Sequence, residues 1–141
     1  MSASRSDLLY RKMEVRRHEE WAYINENSLW FYRTNVGTIF NVGDVVEVKG
    51  SEGEAKNAYF AAHILQLHVD WMQVEYDIVA AEDGSKLVEL ISYSRVQPKA
   101  DVVVSTFEYD ELVDVWMLDG WWRGVCLGMQ GDLYTVYFDY I

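Results

Sequence analysis

The sequence predicts an all-β chain built from two small barrels in tandem. Short segments that alternate apolar and polar residues follow one another through most of the chain. Polar, glycine-bearing turns separate them. One order of landmarks also occurs twice, which points to a repeated unit.

The first strand is "DVVEVKG", Asp44 to Gly50, alternating and β-branched. A turn-like stretch, "GSEGEAKN", leads to a second strand, "AYFAAHILQL", Ala58 to Leu67. A third, "WMQVEYDIV", Trp71 to Val79, places Met72, Val74 and Tyr76 on one face. "EDGSK", Glu82 to Lys86, is a turn signal, and "LVELISYSRVQP", Leu87 to Pro98, closes the unit. Four or five strands at this spacing fit a small barrel.

The repeat is read residue by residue. Phe40, Gly43, Asp44, Val46, Glu47 and Val48 are matched by Phe107, Asp110, Glu111, Val113, Asp114 and Val115. Tyr59-Phe60-Ala61-Ala62 is matched by Trp121-Trp122-Arg123-Gly124, and Val74-Glu75-Tyr76-Asp77 by Val136-Tyr137-Phe138-Asp139. The first copy spans 38–99 and the second 105–141, and the second stops after its third strand, "LYTVYFDY".

Residues 1–34 then invite two readings. "LLYRKMEVRRHEEW" parallels "LVELISYSRVQPKA", an apolar strand leading into an Arg. On that reading the segment is the final strand and tail of a barrel, completing the second copy within the chain or from a neighbouring chain. An open barrel would leave an unpaired strand edge. The rival reading is an amphipathic helix, since Leu9, Met13 and Arg17 also fit helical spacing.

Composition bounds the function. The net charge is −11, from 23 acidic and 12 basic residues, which argues against gripping a phosphate backbone and favours a basic partner. No apolar run is long enough for a membrane-spanning helix, and the N-terminus lacks the pattern of a signal peptide. The single cysteine, Cys126, excludes an internal disulfide and fits a reducing compartment. His18, His63 and His68 are scattered, with no ligand at metal spacing. Cys126 sits on the expected core face, and no phosphate loop or nucleophile motif occurs. No catalytic residue, metal or cofactor is expected.

Taken in order, "F-x-x-GD-x-VEV", the aromatic pair before "AAHIL", "V-x-Y-D" and "R-V-x-P" resemble the plant Agenet domain. "VDVWMLDGWWRGVCLG" with "YTVYFDY" resembles the second Agenet of a tandem pair. The sequence departs from the pattern where Asp110-Glu111 replaces Gly-Asp. The resemblance implies a Tudor-like fold of the Royal superfamily and a nuclear chromatin reader. Plant tandem Agenet proteins of this kind include readers of lysine-nine methylation on the histone-three tail. The implied partner is a methylated histone tail peptide.

Methyl-lysine stays cationic, has fewer hydrogen-bond donors and carries more apolar surface. Aromatic walls suit it through cation–π attraction of roughly 0.5–2 kcal/mol per contact. Neighbouring strand residues point to opposite faces. With Phe60, Ala62 and Ile64 inward, Tyr59 faces out; with Trp122, Gly124 and Cys126 inward, Trp121 faces out. The candidate peptide-binding residues are therefore Tyr59, Tyr76 and Asp77 in the first copy and Trp121, Phe138 and Asp139 in the second. Aromatics at period-two spacing are also what a β core needs, so Tyr76 and Phe138 carry a core reading beside the binding one. The alternative function is a protein-interaction or oligomerisation module, using exposed aromatics between barrels and the N-terminal segment for self-association. Nucleic-acid stacking on a small barrel is a third class, opposed by the charge.

Overall fold

Burial alternates along Trp71–Ala80, Lys86–Ser92 and most of Gly120–Gln130, as the sequence pattern requires. This computed structural model describes residues 7–19, 21–24, 29–32, 37–100 and 106–140. The N-terminal strands are β1 (Asp7–Arg11), β2 (Val15–Arg17), β3 (Trp21–Ile24), β4 (Leu29–Tyr32) and β5 (Gly37–Ile39). Then come β6 (Val45–Lys49), β7 (Ala58–Leu67), β8 (Trp71–Ala80), β9 (Lys86–Ser92) and β10 (Val96–Pro98). The last three are β11 (Leu112–Met117), β12 (Gly120–Gln130) and β13 (Leu133–Tyr137). The described residues contain no α-helix, only short 3-10 turns such as Lys12–Glu14 and Tyr93–Arg95.

Two compact units emerge. One gathers the described residues of Glu19–Gly50 and Tyr59–Ala100. Its barrel runs in the antiparallel order β10-β6-β7-β8-β9. The same unit carries a separate three-stranded sheet, β3-β4-β5. The other unit gathers the described residues of Met1–His18, Ser51–Ala58 and Asp101–Ile141. Its barrel runs β2-β11-β12-β13-β1, also antiparallel.

Residues 7–17 are thus two strands joined by a 3-10 turn, not a helix, and they complete the second barrel within the chain. Tyr10 stands opposite Tyr134 as Ile91 stands opposite Met72. Arg16 stands opposite Asp114 as Gln97 stands opposite Glu47. The true equivalent of Arg16 is therefore Gln97, and that of Arg95 is Glu14. The stretch 1–34 does not stay together, because the described residues from Glu19 onward join the first barrel's unit. The loop Ser51–Ala58 joins the second barrel's unit.

The repeat extends to backbone detail. Gly43 N–H donates to Ile64 O at 2.8 Å, and Asp110 N–H donates to Cys126 O at 2.7 Å. Both residues have positive φ, 91° and 71°. Asp tolerates that region better than most side chains, which is how Asp110 replaces the glycine. Both long strands also carry a bulge at the same place, after Ile64 and after Cys126.

The two cores fill equivalent positions with different volumes. The first packs Phe40, Val46, Val48, Ala62, Ile64, Met72, Val74, Tyr76 and Ile91. The second places Phe107, Val113, Val115, Gly124, Cys126, Tyr134, Val136 and Phe138 at the first eight of these positions, all buried. Larger Tyr134 replaces Met72, while smaller Gly124 and Cys126 replace Ala62 and Ile64. Total volume is traded within the layer, as close packing requires.

The β11–β12 hairpin turns on Leu118 and Asp119, with φ of 49° and 60°, between the paired Met117 and Gly120. Two central residues with positive φ suit Asn-Gly or Asp-Gly rather than leucine. Leu118 is also exposed, so its side chain gains little there. Leu118→Asn is expected to raise stability by about 0.5–1 kcal/mol, read as a higher midpoint in urea unfolding.

Candidate functional site

In the first barrel, strand parity sorts the candidates. Tyr76 points inward with Met72 and Val74 and is 4% exposed. Its hydroxyl donates to Glu89 Oε1 at 2.9 Å. Arg95 Nη2 donates to the same oxygen at 3.1 Å, and Arg95 Nε donates to Lys49 O at 3.0 Å. Burial, helped by the neighbouring Glu89 carboxylate, raises the Tyr76 hydroxyl well above the usual phenol range, while Arg95 pulls the other way. Tyr76 therefore stays protonated and remains a donor. Ala62 is the direct cross-strand partner of Tyr76, which puts Phe60 diagonal to it on the same inner face. Phe60, Val79 and Leu87 are partly buried against this core. Tyr76 and Glu89 thus meet on the face that Phe60 shares, where the core approaches solvent, since the Glu89 side chain is about one-third exposed.

Asp77 follows Tyr76 and faces the other way. Its Oδ1 lies 3.3 Å from His63 Nδ1, and Glu75 Oε1 lies 3.6 Å from His63 Nε2. Tyr76 and Asp77 therefore belong to opposite faces of β8. Tyr59 is half-buried at the start of β7, directly across from Lys49.

In the second barrel the candidates also separate. Phe138 is fully buried. Tyr10 and Tyr140 meet its ring edge-on, with centroids at 5.9 and 6.0 Å. Phe138 packs within the core of the second barrel. Asp139 is exposed, 3.4 Å from Arg123 Nη2, which also donates to Asn57 Oδ1 at 3.0 Å. Trp122 faces the core and stacks near Tyr140, at 6.5 Å and 19°. Trp121 is half-buried on the outer face. Trp116 meets its ring at 5.4 Å, and the Arg16 guanidinium lies 4.3 Å above it.

Arg16 is held by a buried carboxylate. Its Nε donates to Asp114 Oδ2 at 3.0 Å, and the other Asp114 oxygen lies 2.7 Å from His18 Nδ1. All three side chains are nearly closed from solvent. At the equivalent place in the first barrel, Gln97 Nε2 donates to Glu47 Oε1 at 2.9 Å.

The Agenet domain family model matches residues 43–100. The chain is also similar to the protein AGENET DOMAIN (AGD)-CONTAINING P1 of Arabidopsis thaliana, at 37% identity over 90 residues. The match covers 61% of the chain and 17% of that relative, so the chain corresponds to a small part of its length. Among solved structures, it resembles Arabidopsis thaliana AGDP1 AGD34, with a TM-score of 0.66 and 28% identity over 72% of each chain. It also resembles the ADCP1 tandem Agenet domain 3-4, with a TM-score of 0.60 and 29% identity, covering 71% of this chain and 69% of that one. The fold is thus that of a tandem Agenet pair. Among the described residues, no helix is long and apolar enough to cross a membrane. No group of three or more His, Cys, Asp or Glu side chains among them is placed to hold a metal ion.

Sequence reasoning did not single out Glu89, Arg95, Arg16 or His18. Glu89 was within reach of it: strand parity sets Glu89 with Leu87 and Ile91, two apolar residues, and an acid on an apolar face is a signal. The Arg16–Asp114–His18 cluster joins residues almost a hundred positions apart, so no local spacing marks it.

Proposed function

We propose that this chain is a non-enzymatic nuclear reader of a methylated-lysine histone tail, with lysine nine of histone three as the first mark to test. One observation carries the reading: Tyr76 and Phe60 share the inner face of the first barrel beside the Glu89 carboxylate. Aromatic faces attract the cation and cover its methyl groups. A carboxylate can accept about four hydrogen bonds, and Glu89 receives one from Tyr76 and one from Arg95. Its remaining capacity suits the N–H of mono- or dimethyl-lysine. The net charge of −11 favours a basic tail, and binding should weaken as salt rises. Asp77 and Glu75 on the outer face, with Tyr59, supply contacts for flanking residues. The similarity to tandem Agenet structures supports the same reading.

Fluorescence polarisation with labelled histone-tail peptides tests the location. Phe60→Ala should weaken binding of the dimethyl-lysine peptide at least tenfold, and Trp121→Ala should leave it within about twofold. The opposite ranking would move the site to the second barrel. A concentration-dependent dimer in light scattering, with no peptide affinity at all, would favour the self-association alternative.

A further inference from the structure

We propose that Trp121 and Trp116 form a cation-binding aromatic face on the second barrel, and that the chain fills it with its own Arg16. The inference extends the proposed cation reader to a second site and explains why that site is closed to an incoming peptide.

The site has the parts that cation recognition needs. The Arg16 guanidinium lies 4.3 Å over the Trp121 ring. Trp116, the direct cross-strand partner of Trp121, meets that ring edge-on at 5.4 Å. Asp114 supplies the counter-charge through a 3.0 Å bond to Arg16 Nε. The register accounts for the meeting: Asp114 pairs with Arg16 on one side and Arg123 on the other. Trp121 lies two residues before Arg123 and Trp116 two after Asp114, so all share the outer face. Trp116 is 36% exposed, which brings the face to solvent.

The first barrel shows that this strand position can carry an amide in place of the arginine. There Gln97 takes the place of Arg16, Glu47 that of Asp114 and Tyr59 that of Trp121. The Gln97 amide donates to the Glu47 carboxylate, and the core of that barrel is closed. Arg16 is therefore an internal ligand delivered by β2. The ligand class is a planar guanidinium or a methylated ammonium carried on an extended strand. A guanidinium both stacks on an indole and donates to a carboxylate, which a single ammonium does less well.

The internal repeat also supplies the test. Arg16→Gln copies the Gln97 arrangement, keeping a donor for Asp114 and removing the cation from Trp121. In the 15N-labelled full chain, the Trp121 indole N–H resonance is followed during titration with tetramethylammonium chloride, against sodium chloride at equal ionic strength. The expected result is a saturable shift in Arg16→Gln with an apparent affinity at least tenfold higher than in the unaltered chain. Arg16→Lys preserves the buried charge pair and loses the planar stack, so a saturable shift is expected there too. It decides the matter should Arg16→Gln fail to fold. Equal titration of the unaltered chain and the variants would overturn the proposal, as would folded variants whose Trp121 resonance stays still. The readout is Trp121 rather than Tyr76 or Phe60, so failure of peptide binding at the first barrel is registered separately.

Discussion

Asp114→Ala should lower stability by about 3–5 kcal/mol, the range for breaking a buried ion pair by removing one partner. Asp114 is 1% exposed and receives both Arg16 and His18. Its removal takes the carboxylate from two buried basic side chains at once. Both lie on the N-terminal segment, so the loss falls where β2 meets β11. For a domain of this size the thermal midpoint should fall by roughly 10–20 °C. The segment 7–17 should also become the first protease-sensitive part of the second barrel. Calorimetry with limited proteolysis checks both. A change under 1 kcal/mol would mean that the cluster does not hold the N-terminal strands.

Gly124→Ala should be the second costly change. A Cβ there would lie 2.5 Å from Val136 Cγ1 and 2.9 Å from Phe138 Cε1. Neither neighbour has room to move, since both are fully buried and Phe138 is bounded by Tyr10 and Tyr140. Overpacking of this kind costs about 1–3 kcal/mol and at times more. The first barrel accepts Ala62 at the equivalent position because its neighbours differ: Ile91 stands where Tyr10 does, and Tyr76 angles its hydroxyl to Glu89. The paired change Gly124→Ala with Phe138→Leu should recover part of the loss. Urea unfolding of the two variants measures both effects.

Much of the architecture was legible in the sequence because alternation and turn chemistry are local. The repeat was visible for the same reason: Val46, Val48 and Tyr76 have counterparts in Val113, Val115 and Phe138 at matching steps. The pairing of β1 and β2 with β13 and β11 was legible only as one of two readings. Strand and helix spacing coincide over so short an apolar pattern, and long-range pairing decided between them.

The site was less legible. Tyr76 and Asp77, neighbours on β8, point to opposite faces, and the carboxylate beside Tyr76 comes from Glu89 on β9 instead. Phe138 was open to a binding reading because its covering residue, Tyr10, lies at the far end of the sequence. Trp121 does face outward as parity requires, but what meets it is Arg16, which no local pattern could supply.

The reader hypothesis is tested most directly by calorimetric titration of the full chain with two histone-three tail peptides that differ only in dimethylation of lysine nine. The expected result is one peptide per chain and at least tenfold tighter binding of the methylated form, a preference lost in Phe60→Ala. Equal affinity for the two peptides would contradict methyl-lysine recognition.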